Sequence, residues 1–313
     1  MDGGIETLPQ EQFVPNQDGT FWLPNPFYHD QEKAPGISRS LIVELLEQTP
    51  AHARSLMGGA WGKAATRAMT GGSLFDKALL EPDLFIEGES HWIIPEGMNL
   101  TTVDGRAWKK DHPGSKEWRD GDPGLPYLPA QSLAADVVSA EDCKGMIESV
   151  MRHKNARFII ENAVKQESAF CRDPRTGLMR KVRPDARVFD RHSRIVLADV
   201  KSTFRGGATV GAWMNHCTRM WYDIQDSYYS KVYEDLYERP MFCFIVVERK
   251  PPYACRIFDL DPHDKEEARI EHEAALDEFR KCQETGIWPA FDEGITTIRL
   301  PKWKRSLRTP GVE

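Results

Sequence analysis

The chain has 313 residues, with 41 Lys and Arg against 48 Asp and Glu, a net charge of −7, and 40% hydrophobic and 28% charged residues. That composition excludes collagen-like, disordered and membrane-embedded classes, and no apolar run nears the ~18 residues that a bilayer span requires. The acidic total also argues against a protein that coats nucleic acid nonspecifically, although a nucleic-acid enzyme needs only local positive charge.

In chain order, residues 1–27 are rich in Pro, Asn and Gln and read as an irregular arm. The opening MDGGIETLPQ lacks a basic-then-apolar leader, so export is not expected. After the Pro35-Gly36 turn, Leu41, Ile42, Leu45 and Leu46 form a helical stripe with Ser38 or Ser40 as its cap. The helix stops before Pro50, and a second begins in AHARSLM. TGGSLFDKALLEPDLF is helical from about Ser73 to Leu80 and is closed by Pro82. From about Gly88 to Pro129 the chain reads as a long irregular excursion, and helical spacing returns over Ser139–Glu161.

The period then changes. KQESAF, MRKVRPDARVF, RIVLADVKS and MFCFIVVERK read as strands, with one long helix from Ala212 to about Glu238 before the last of them. An acidic helix from about Pro262 to Thr285 follows. The order of elements predicts an α/β core with helical decoration. Six cysteines are scattered without a CxxC or zinc spacing, which predicts reduced thiols in a cytoplasm. GGAWGKA near Gly58 has the wrong spacing for a P-loop, so ATP use is not expected.

Charge is uneven. Between Lys165 and Arg205 stand eleven Lys and Arg against five Asp and Glu, a net of +6. Within this block Asp199 and Lys201 lie two apart on a strand and share a face, as do Arg183, Asp185 and Arg187 on the strand before. The short DRHS turn makes the strands hairpin neighbours and brings Asp185 beside Asp199. Adjacent carboxylates on an apolar strand pair repel unless a cation sits between them, and hard oxygen ligands suit Mg²⁺ or Mn²⁺. A lysine beside such a metal offsets charge on a phosphate. D-x-K alone is common, and a surface hairpin with Asp199–Lys201–Arg183 salt bridges is the plainer reading of it. On the next helix Gln225 and Tyr229, i and i+4, share a face and can hold phosphate or water, or simply belong to an amphipathic helix. Glu167 is a possible extra acid, while His192 and His216 read as ordinary loop and helix residues.

Taken in order, RPD, then DVK, then Q-x-x-x-Y, the chain resembles the RecB-type branch of the PD-(D/E)xK nuclease superfamily. More narrowly it resembles phage and prophage exonucleases of the exonuclease VIII (RecE) kind. Similar segments include YHDQEKAPGISRSLIVELLEQTPAHAR, GGSLFDKALLEPDLF, TTVDGRAWKK and FIVVERKPPYACRIFDLD. The resemblance implies a restriction-endonuclease-like core, a small mixed sheet flanked by helices, in one domain over 28–300. Its helical part would cover about 28–163 and its catalytic core about 164–290, with 301–313 a basic tail. It implies Asp185, Asp199 and the Val200 carbonyl as metal ligands, Lys201 as catalytic lysine, and Gln225 and Tyr229 as its supporting pair. Asp76 stands where the family carries a histidine near the metal, and as an oxygen donor it can still be a ligand. The implied activity is Mg²⁺- or Mn²⁺-dependent hydrolysis of linear duplex DNA, 5′ to 3′. That would leave 3′ overhangs for a single-strand annealing partner, from a homo-oligomeric ring in a bacterial or phage-infected cytoplasm. Ser38-Arg39-Ser40 is a candidate for terminal-phosphate recognition or a simple helix cap. An endonuclease on the same fold, or a DNA-binding relative impaired by Asp76, are the alternatives.

Overall fold

The computed structural model describes residues 5–57, 67–115, 125–132 and 134–299. Strands β1 (Thr7–Pro9) and β2 (Gly19–Trp22) precede helices α1 (Asn25–His29), α2 (Arg39–Glu47), α3 (Pro50–Met57) and α4 (Arg67–Leu80). Next come β3 (Trp92–Ile94), α5 (Val103–Asp111), β4 (Gly114–Ser115), β5 (Leu125–Pro129), α6 (Ala140–Arg152) and α7 (Lys154–Asn162). The strand-rich half holds β6 (Val164–Lys165), β7 (Ser168–Arg172), β8 (Met179–Val182), β9 (Ala186–Phe189) and β10 (Ile195–Thr203). It ends with α8 (Val210–Met220), α9 (Tyr222–Leu236), β11 (Met241–Glu248), β12 (Cys255–Phe258) and α10 (Pro262–Thr285).

A five-stranded mixed sheet in the order β12-β11-β10-β9-β6 forms the centre. Only β10 and β11 are parallel within it, joined by the α8–α9 crossover. Alternation along β10 divides the core. Ile195 and Leu197 enter a cluster with Trp213, Tyr228 and Phe279, while Ala198 and Val200 enter another with Phe75, Met146 and Ile160. Asp199 and Lys201 continue the first series, so they face α8 and α9. This is the expected α/β core, and among the described residues no helix is long and apolar enough to cross a membrane.

Five expectations are corrected. The arm of residues 1–27 is not irregular throughout: β2 pairs with β7 in a four-stranded sheet, β1-β2-β7-β8. The Gly88–Pro129 excursion builds a small parallel sheet, β3-β5-β4, with α5 beside it. MRKVRPDARVF is two strands, because Pro184 has no N–H for a ladder, and the chain changes sheets between Val182 and Ala186. The helix expected over 212–238 breaks at Trp221, which takes a left-handed φ of 54°. Arg39 holds that break, its guanidinium donating to the carbonyls of Met220 and Trp221, while the Trp221 indole donates to Glu47. Likewise the Ser139–Glu161 helix divides at His153, whose imidazole accepts from the Ala156 N–H and caps α7.

α10 matches its expected span. Asp261 caps it through the His263 N–H at 2.8 Å, and Gly286 ends it at φ 70°, a conformation glycine adopts at little cost. GGAWGKA and the basic tail 301–313 lie outside the described residues.

Candidate active site

The β9–β10 ladder pairs Phe189 with Ile195 and ends with Ala186 opposite Ala198. One more step of that register sets Asp185 opposite Asp199, on the same face. Since β9 has stopped, the Val200 N–H has no strand partner there. The Asp185 carboxylate takes its place, Oδ2 accepting from Val200 N at 2.7 Å. The N–H and C=O of one strand residue point to the same side, so the Val200 carbonyl is directed toward the same opening.

Asp199 is buried, and both its oxygens face polar groups. Oδ1 accepts from the Gln225 side-chain amide, and Oδ2 lies against the Lys201 ammonium. Lys201 in turn stands over the Tyr222 ring, 5.1 Å from its centroid. Burial opposes the lysine's charge, but Asp199, Tyr222 and Asp185 outweigh it and hold the ammonium above its ordinary range. Burial and then the charge of Asp199 push the Asp185 carboxyl up to about 7, against Lys201 and the Val200 N–H. Asp76, on α4, belongs to the same cluster: burial first, then Asp185, raise it well above the usual carboxylate range. Its Oδ1 is shielded from solvent and has no hydrogen-bond partner. Tyr229 borders the cluster, its hydroxyl pushed up to about 12 by burial and then by Asp199.

These residues fit a divalent cation. Like charges are held together, one shielded oxygen is unpartnered, and the donors are hard oxygens suited to Mg²⁺ or Mn²⁺. The carboxylates are set apart rather than collapsed on a point. Among the described residues the only group of three His, Cys, Asp or Glu with ligand atoms within 4.8 Å of one another is His263, Asp264 and Glu267, fully outside on α10.

The structure thus brings Asp76, Asp185, Asp199, Lys201, Gln225 and Tyr229 into one largely buried cluster. It places Glu167 elsewhere. Glu167 is fully buried and accepts from Arg187 Nε at 2.6 Å, from the Tyr233 hydroxyl at 2.8 Å and from the Thr7 hydroxyl, a closed structural pair. Pattern reading missed Tyr222 and Gln166. Gln166 donates to Asp185 Oδ1 at 3.4 Å and accepts from Arg183 at 2.9 Å. Only the spacing of Tyr222, three before Gln225 and so near its face, could have pointed to it.

A family model described as a PDDEXK-like domain of unknown function matches residues 38–301. A solved structure of similar fold is that of a "putative exonuclease" from Eubacterium rectale, with a TM-score of 0.54 at 16% identity over 93% of this chain and 99% of that one. At that identity the likeness bears on the fold alone. No curated protein matches the chain. With the family model spanning most of its length, the chain belongs to the PDDEXK-like family, and its core has the fold of the PD-(D/E)xK nuclease superfamily.

Proposed function

We propose that the protein is a metal-dependent DNA exonuclease that hydrolyses phosphodiesters of linear duplex DNA. The observation that carries this reading is the cleft at the open end of β9–β10, where Asp185 and Asp199 share a face with Lys201 and Gln225 clamps Asp199. Mg²⁺ or Mn²⁺, held by Asp185, Asp199 and the Val200 carbonyl with Asp76 as an added donor, would polarise a phosphoryl oxygen and acidify a water.

The chain's own groups do the rest. Lys201 stays an ammonium and offsets charge that builds on the phosphate as the bond to the leaving 3′ oxygen breaks and a 5′-phosphate forms. Gln225 fixes the orientation of Asp199. Tyr229 keeps its proton and can donate to a phosphate oxygen. Digestion from the 5′ end, 3′ overhangs, an annealing partner, a homo-oligomeric ring and action without ATP rest on the exonuclease VIII resemblance.

The test is incubation with linear and covalently closed circular duplexes, with Mg²⁺, Mn²⁺ or EDTA, alongside Lys201→Ala. Metal-dependent loss of linear DNA alone, absent in the variant, is expected, and end-specific labels then report polarity. Cutting of circles would instead make the protein an endonuclease. DNA bound but never cut would make it a binding relative.

A further inference from the structure

Past Lys201, β10 runs out at Thr203 and its parallel neighbour β11 at Glu248. The C-terminal ends of adjacent parallel strands form a crevice that favours ligands. Here that crevice is cationic. Arg249 follows β11 directly, its N–H donating to the Thr203 carbonyl at 2.8 Å. Its guanidinium is half-buried, and Nε is shielded from solvent with no hydrogen-bond partner among the described residues. Burial holds it below its usual range, with Asp136 the acid that acts against this. A buried donor without a partner calls for an acceptor from outside.

Across the crevice, α8 supplies His216 and Arg219. The His216 ring lies 5.5 Å from Tyr222, the ring on which Lys201 sits, so the crevice is continuous with the cleft. Arg219 Nη2 is 3.1 Å from His216 Nδ1. A guanidinium can only donate, so Nδ1 accepts and the neutral imidazole carries its proton on Nε2. Burial, then Arg219, Arg249 and Lys201, keep that imidazole below its usual range, and no acid opposes them. Arg205, exposed, stands in the loop that leaves β10, and Glu248 fixes that loop by accepting from Gly206 N at 2.8 Å.

We propose that His216, Arg219 and Arg249 form a track for the sugar–phosphate backbone of the DNA strand, at phosphates next to the one in the cleft. The proposal rests on the nuclease reading and deepens it. Three donor groups meet one side of the cluster, and of these cations Lys201 is ion-paired with Asp199, while among the described residues no carboxylate comes within ion-pair distance of Arg219 or Arg249. A phosphodiester supplies both the missing acceptor for Arg249 and the missing negative charge.

Binding of a fluorescent linear duplex in EDTA, followed by anisotropy over a series of salt concentrations, tests this without any need for cleavage. Arg219→Gln/Arg249→Gln is expected to weaken binding about tenfold or more and to lower the slope of log K against log salt by about 1 to 2. Arg219→Lys/Arg249→Lys should recover most of the slope, and a melting curve confirms that each variant folds. Arg157→Gln, on α7 across the sheet and paired with Glu161, should change neither quantity. An unchanged affinity and slope in the folded Gln variant overturns the track and leaves the nuclease reading standing, as does an equal loss in Arg157→Gln. A wild-type protein that neither binds nor cuts DNA overturns both.

Discussion

Where the four-stranded sheet meets the helices, buried charge is closed on itself. Arg180, fully buried, lies between Asp173 at 3.4 Å and Asp235 at 2.6 Å, and Glu167 spends both oxygens on Arg187, Tyr233 and Thr7. Lys181 donates to the carbonyls of Tyr28 and Ala34. Three residues past β8, across Pro184, the buried acidic cluster does the opposite. Asp76, Asp185 and Asp199 face one Lys201, and burial together with the neighbouring negative charge raises the proton affinity of Asp76 and Asp185. In the first region each buried cation is paired within the protein, to carboxylates or carbonyls, although Nε and Nη1 of Arg180 make no hydrogen bond among the described residues. The second sets three carboxylates against one ammonium, and that excess of like charge, rather than burial, is what marks it as the candidate site.

The contrast can be broken most sharply at Lys201. Lys201→Ala should cut hydrolysis by about 10²- to 10⁴-fold while the protein stays folded, read from initial rates beside a melting curve. The reverse pattern belongs to Glu167. Glu167→Ala removes the buried carboxylate that Arg187, Tyr233 and Thr7 share and should cost about 3–5 kcal/mol in urea unfolding, with the activity of the folded fraction retained. A loss of activity at unchanged stability would move Glu167 into the cleft's chemistry. Next, Mn²⁺ or Mg²⁺ at about 100 times its dissociation constant should stabilise the wild type by about 2.7 kcal/mol, and Asp185→Asn/Asp199→Asn should show no such gain.

The smallest effect concerns Asp226, next to Gln225 on α9 but turned toward α10, where it meets Lys265 at 3.1 Å. Burial raises its carboxyl to about 6 despite that lysine. The unfolded carboxyl titrates near ~3.9, so between about pH 4 and 6 the folded state binds more protons. The corresponding stability is present below that window and lost as pH rises through it. Asp226→Asn should flatten this slope in unfolding measured across pH 4–7. A slope that persists would assign it to another group.

Much of the site was legible because its logic is local. D-x-K spacing on a strand fixes a common face for Asp199 and Lys201, and i, i+4 spacing does the same for Gln225 and Tyr229. The bounds of α10 were legible too, since its cap Asp261 and its terminal Gly286 each adjoin the helix in sequence. What stayed hidden depends on distant partners. The place of Glu167 is set by Tyr233, 66 residues away, and by Thr7, 160 residues away. The left-handed Trp221 needs Arg39 and Glu47 to hold it, and strands as short as β4 and β6 carry too few residues to show a period.

The pairing of β2 with β7 has a practical side for anyone shortening this protein. Residues 1–27 look disposable, yet Gly19–Phe21 cover the edge of β7, and without them that row of backbone donors and acceptors would be open to a neighbouring molecule. A version beginning at residue 28 is therefore expected to precipitate or self-associate, rather than to emerge as a smaller enzyme with reduced turnover.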